Sequence, residues 1–192
     1  MNFIEILSRI FNLLLYPAKE WETIATENKP RKTIFARFVV PLFCLITVAV
    51  IVGTWLDTSR EVYSPGYVIF RISLLWCSLG SGLFVSSFVI TEIAARQAGS
   101  RDHGRIFALF TYSSGSAGLV IMMVKLFPFF NELLVLAFYS CYLYWRGIPY
   151  MIRVEGQNRS IFAILSFIIS AATFSLMFFF FGNVLSAVFG LK

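Results

Sequence analysis

This sequence is poor in charge and holds a single histidine. Only 14% of its 192 residues are Asp, Glu, Lys or Arg, about half the share usual in a soluble domain. At the same time 58% of the residues are hydrophobic, and mean hydropathy is +0.79. One soluble domain of this length could not hide so much apolar surface, whereas a bilayer accommodates it. His103 is the single histidine, and a metal site draws on several ligands. It stands beside Asp102 in a short loop, where a solvated histidine is expected. A hydrolase triad would need it next to a serine elbow, and none is present. Phosphate-cradling glycine loops of the Walker or dinucleotide type are missing too. The chain is therefore expected to be no enzyme and to use no cofactor and no metal. Cys44, Cys77 and Cys141 all fall inside apolar runs. That excludes a disulfide framework and reads each as a small hydrophobe. The net charge of +6 sits at the edges of apolar runs. Membrane topology places charge in this way, so no nucleic-acid partner is expected.

What is present is a series of long apolar runs. The organising stretch is Ile90 to Gly118, where two runs meet at a short basic loop carrying Arg96, Arg101, His103 and Arg105. Residues 2–16 place Asn2, Glu5, Ser8, Arg9 and Asn12 on one helical stripe. The run is short of the ~20 apolar residues a span needs. It lacks the basic start and small-residue cleavage site of a signal peptide. It reads as an amphipathic helix in the membrane interface, or packed on the bundle. Pro17 begins a second short helix, in which Trp21 is placed like an interfacial anchor.

Five spans follow, at about 34–56, 68–95, 106–124, 131–152, and 161 to 181 or 190. Residues 1–32 form an interfacial N-terminal region and 33–192 the transmembrane domain. The fold class is an all-α polytopic membrane helix bundle. Pro41 is expected to kink the first span. Ser78, Gly82 and Ser86 repeat every four residues, and such small side chains let another helix approach. The third span, through Ser114 and Gly118, is the expected neighbour. Gly182, Ser186 and Gly190 repeat the pattern near the end, where the chain either finishes the span or starts a short helix.

Lys and Arg orient the bundle. One side collects 12 of them: Arg9, Lys19, Lys29, Arg31, Lys32, Arg37, Arg96, Arg101, Arg105, Arg146, Arg153 and Arg159. The other side collects 4: Arg60, Arg71, Lys125 and Lys192. The positive-inside rule puts the N-terminus in the cytoplasm. Five spans then put Lys192 outside, and a bacterial inner membrane is the expected location. The sequon at Asn158 falls on the cytoplasmic side and is discounted for glycosylation.

Two candidate sites emerge. The first is a cytoplasmic surface of Arg96, Arg101, His103, Arg105, Arg146, Arg153 and Arg159, suited to anionic lipid headgroups or an acidic partner. The second is an intramembrane polar cluster of Glu92, Thr111, Tyr112 and Ser113, since polar groups at membrane depth often mark function. Glu92 is also one turn before Arg96, and an i,i+4 pair is its plain explanation. A non-enzymatic role in membrane organisation or trafficking, or in partner binding at the cytoplasmic face, is the first reading, with a membrane-protein partner or a homo-oligomer as the expected assembly. A small-solute transporter or channel with a polar path near Glu92, Thr111, Tyr112 and Ser113 is the alternative, although five spans do not split into equal repeats.

Several short stretches resemble the Yip (Ypt/Rab-interacting protein) family, especially its bacterial branch. Pro17-Ala18-Lys19-Glu20-Trp21 resembles the family's proline-to-aromatic opening helix. Gly99 and Gly104, followed by Phe107 through Ser113, resemble its glycine loop and the start of its third span. Trp145-Arg146-Gly147-Ile148-Pro149 through Val154 and Asn158 resembles the end of its fourth. The resemblance implies five spans, N-terminus in and C-terminus out. It also implies a role in membrane organisation or trafficking, in which eukaryotic members bind prenylated small GTPases. Two features depart from the pattern. Gly115 and Gly118 stand where a proline is usual, and the acidic and Gly-Pro motif of the eukaryotic members is missing between Asp57 and Gly66.

Overall fold

The computed structural model describes residues 3–56, 65–98, 101–152 and 157–190. These are helical almost throughout, with no strand among the described residues. Helix α1 (Phe3–Leu15) places Ile6, Ile10 and Leu13 on one face by their 4 and 3 spacing, and all three are fully buried. Pro17 fills the first turn of α2 (Pro17–Glu27), where its missing N–H is no loss. Asn28 ends α2 in the left-handed region at φ 38°, a conformation Asn tolerates better than most residues.

The first long helix is built in three pieces: α3 (Arg31–Ile34), a π turn (Phe35–Val39) and α4 (Val40–Leu56). Pro41 explains the middle piece. Its ring crowds the carbonyl four residues back and it offers no N–H. The hydrogen-bond ladder widens just before it, and the Val40 N–H reaches back to the Phe35 carbonyl. The kink expected at Pro41 is thus taken up as a π turn.

Helix α5 (Pro65–Ala98) is followed by α6 (His103–Leu126), a 3-10 segment (Pro128–Phe138), α7 (Tyr139–Met151) and α8 (Gln157–Phe189). Among the described residues, four stretches are long and apolar enough to cross a membrane: Arg31–Thr54, Pro65–Arg96, His103–Leu126 and Asn158–Phe189. The all-helical membrane bundle is as the sequence indicates, while the count of five is approximate. The expected span at 131–152 is a 3-10 segment joined to a 13-residue helix. At about 2.0 Å per 3-10 residue and 1.5 Å per α residue, the two together reach about 42 Å. That exceeds the ~30 Å hydrocarbon core.

Helix α6 is the axis of the bundle. It packs against α1, α3, α4, α5, α7 and the 3-10 segment. Helix α5 packs most extensively on α8. That pairing corrects the expectation for the small-residue stripe. A Cβ built on Gly82 would lie 2.5 Å from the Phe174 ring of α8, so Gly82 faces α8. Gly118 of α6 instead faces Leu42 of α4, and Gly115 faces Phe38. The second stripe is open: Gly182 and Gly190 meet nothing within 4 Å. Helix α8 runs unbroken through Ser186 to Phe189, and Gly190 leaves it at φ +64°.

Candidate binding face at the basic end of the bundle

Two ends of the bundle can be told apart by what meets there. At one end Glu27 and Lys29 share a small crevice with Gly104 and Arg105, which open α6, and with Met151, which closes α7. At the other end α4 and α6 touch so closely that a methyl on Gly53 would run into the Lys125 carbonyl. Helix α6 therefore leaves the Glu27 end at Arg105, and α7 comes back to it at Met151. The 3-10 segment and α7 make the return.

The Glu27 end carries most of the described cationic side chains of the candidate surface. Asp102 accepts from the Gly104 and Arg105 backbone N–H groups at 2.9 and 3.0 Å. It caps α6 there, and its other oxygen lies 3.4 Å from the Arg105 guanidinium. His103 stacks on Phe88, ring centres 5.8 Å apart, and is half-buried rather than loose in solvent. Arg101 pairs with Glu92. The i,i+4 pairing expected between Glu92 and Arg96 is not formed; Arg101 takes Glu92 instead. Arg96 is exposed. Arg159 lies 4.1 Å over the Trp145 ring and donates to the Trp145 carbonyl at 2.6 Å. Arg146 is close enough to Arg159 for their charges to interact. Among the described residues no carboxylate pairs with Arg96, Arg146 or Arg159. Arg153 lies outside the described residues.

Alongside this end sits a cluster that pattern reading did not single out. Arg9 of α1 donates to both carboxylate oxygens of Glu27 at 2.7 Å. It lies 3.5 Å from Glu20 and 5.4 Å from the centre of the Tyr112 ring of α6. Hydrogen bonding from Arg9, then from Lys29, holds the Glu27 carboxyl below its usual range against the opposing effect of burial. The apolar face of α1 and the N-terminal face of α2 bury against the bundle. Trp21 is fully buried, not an interfacial anchor. It packs where a Cβ on Gly147 would come within 2.7 Å of its ring. Phe11, Leu15 and Tyr16 remain exposed on α1 and its end, so this helix is packed inward on one side and apolar outward on the other. The available signal was an Arg and two Glu on adjoining short helices of a charge-poor chain.

The intramembrane cluster is not one site. Glu92 is at the end of α5 with Arg101, whereas Thr111 and Ser113 line a cavity deeper in the bundle. Tyr112 points the other way, edge-on to Phe38 at 4.8 Å and beneath Arg9. The cavity measures about 420 Å³ and is walled mainly by Phe, Leu, Ile and Val side chains of α4, α5, α6 and α8.

A family model described as the Yip1 domain matches residues 11–189. The chain belongs to the Yip1 domain family. No curated protein and no solved structure gives a match. The matched range holds all three stretches that carry the resemblance in the sequence. It includes Glu20, Glu27 and Tyr112 of the N-terminal cluster, while Arg9 stands just ahead of it. Every long apolar helix falls within it, so this Yip1-domain protein is a multi-pass membrane protein.

Proposed function

We propose that this Yip1-domain protein is a non-enzymatic membrane protein that binds anionic lipid headgroups through the basic end of its bundle. That end faces the cytoplasm of a bacterial inner membrane, with the N-terminus on the same side and the C-terminus outside. One observation supports the reading best. Arg96, Arg146 and Arg159 stand at the same end as Arg101 and Arg105, and no carboxylate among the described residues offsets the first three. Each such cation near an anionic leaflet contributes about 1 kcal/mol of attraction. The transporter alternative gains no support. Glu92 stands apart from Thr111 and Ser113, and the cavity wall is mainly apolar.

The test is lipid selectivity in reconstituted bilayers of mixed phosphatidylglycerol and phosphatidylcholine. Spin-labelled lipids report which headgroup the protein retains. The wild type prefers phosphatidylglycerol, and more so at low salt, where screening is least. The Arg96→Gln/Arg146→Gln double variant loses most of that preference. Equal preference in the correctly inserted variant would leave these arginines a topological role only.

A further inference from the structure

The cavity inside the bundle has no part in the basic face. We infer that it is a binding site for one acyl chain of a membrane phospholipid, entered sideways from the bilayer. The inference is independent of the headgroup reading above.

The size and wall come first. A volume of about 420 Å³ lies within the range of small-molecule sites, which are mostly apolar with a few placed polar groups. Ile46, Leu79, Leu83, Phe167 and Phe174 form much of the wall. An empty space of this size deprives its lining of dispersion contacts. Water is a poor filler, since each buried water needs two to four polar partners. The hydroxyls around the cavity are mostly engaged by their own helices. Ser113 donates to the Phe110 carbonyl, Ser114 to Thr111, Ser140 to Ala137 and Ser170 to Ser166. What remains to fill the space is hydrocarbon.

The depth says where hydrocarbon comes from. Phe138 and Ala171 line the cavity and are also exposed on the outside of the bundle. They lie eight residues before Arg146 and twelve after Arg159. At about 1.5 Å per residue that is ~12 and ~18 Å from the basic end, well inside a core ~30 Å thick. The flank between the 3-10 segment and α8 therefore opens onto lipid chains, not onto water.

Two groups give the site a polar preference. The Thr111 and Tyr144 hydroxyls both line the cavity, are buried at 2% exposure and have no hydrogen-bond partner. A threonine in a helix usually donates to its own backbone, as Thr47 does to Phe43 and Thr91 to Ser87. Thr111 lies six residues into α6 from Arg105, about 9 Å from the basic end. That is about 3 Å nearer the basic end than Phe138, on the side of the cavity toward the interfacial layer that carries the ester groups. An ester carbonyl accepting from Thr111, with its chain in the cavity, satisfies both the hydroxyl and the void.

Photolabelling tests this with a phosphatidylcholine bearing a diazirine in mid-chain, so that headgroup charge plays no part. In vesicles, adducts are expected on the peptides holding Ser140–Tyr144 and Phe167–Phe174. They should exceed, several-fold, those on Phe178–Phe180, which face outward on α8. Ala117→Phe and Ala171→Phe fill the cavity from the inside and from the rim. Each should abolish the cavity adducts, keep those on Phe178–Phe180, and leave the unfolding temperature near that of the wild type. Thr111→Val should weaken cavity labelling several-fold with no change in fold. Cavity adducts that persist in both folded filling variants would overturn the proposal. Labelling by a diazirine fatty acid alone, and not by the phospholipid, would overturn it as well.

Discussion

Arg9 holds Glu27 through two hydrogen bonds of 2.7 Å and at the same time lies 5.4 Å over the ring of Tyr112. One side chain therefore ties α1 to α2 and both to the central helix. Ile10 reinforces the same contact, reaching 3.4 Å from where a Cβ on Gly115 would sit. Tyr139 adds a fourth tie, donating to the Leu14 carbonyl at 3.1 Å. The N-terminal helices are thus locked to the bundle by specific contacts as well as by amphipathicity.

Arg9→Met keeps the apolar stem and removes the charge. Hydrogen bonds to charged groups contribute about 2 kcal/mol each way the partner is left unpaired. Amide exchange across Phe3–Leu15 should accelerate by more than tenfold, while exchange in α6 stays slow. Unchanged exchange in α1 would show that Ile6, Ile10 and Leu13 hold the helix unaided.

The same contact carries a pH dependence. Arg9, and after it Lys29, lowers the folded-state pKa of Glu27 below the reference 4.5. A depressed carboxylate contributes stability that is fully present above the unfolded value and lost as pH falls through the folded one. Attachment of α1 should therefore be constant from neutrality down to about pH 4.5 and weaken below it. Glu5, Glu20, Lys29 and Tyr112 are the other ionisable groups facing this contact. Exchange rates in α1 followed down the acid range test this, and Glu27→Gln should flatten the curve.

Glycines separate close helix contacts from open ones. Gly82→Leu drives a side chain into the Phe174 ring, already 2.5 Å from a bare Cβ. Such overpacking costs about 2 kcal/mol, so the unfolding temperature in detergent should drop by several degrees. Gly182→Ala meets nothing within 4 Å and removes a helix-breaking residue, a gain of up to ~1 kcal/mol. The two variants should move in opposite directions. A Gly82→Leu protein as stable as the wild type would mean that α5 and α8 are not packed there.

Much of the architecture was legible because a bilayer imposes coarse rules. Apolar length marks the spans, Pro17 marks a helix start, and the edges of runs hold the arginines. What stayed hidden depends on which helix lies beside which. The spacing of Ser78, Gly82 and Ser86 says that a neighbour comes close, but only the fold says that it is α8. Glu92 and Arg96 satisfy the i,i+4 rule, yet Arg101 takes Glu92 instead. Trp21 has the composition of an anchor and is nevertheless buried, because Gly147 leaves room for its ring. The stretch from Pro128 to Met151 has the hydropathy of a span, and its hydropathy carries no sign of the change from 3-10 to α geometry at Tyr139. Among the candidate surface residues, Arg96, Arg101, Arg105, Arg146 and Arg159 share one end of the bundle, where charge at the edges of the apolar runs implies it. The Arg9 cluster was not legible, since it joins residues far apart along the chain.

The central claim is that the basic end is cytoplasmic and that the 3-10 segment with α7 makes a full crossing. Reporter fusions decide both together. A reporter inserted at Gly99 and one joined after Lys192 should lie on opposite faces of the membrane, the first cytoplasmic and the second external. That is the result of four long helices plus the return through α7. A C-terminal reporter on the cytoplasmic side, with the Gly99 reporter also cytoplasmic, would contradict the account.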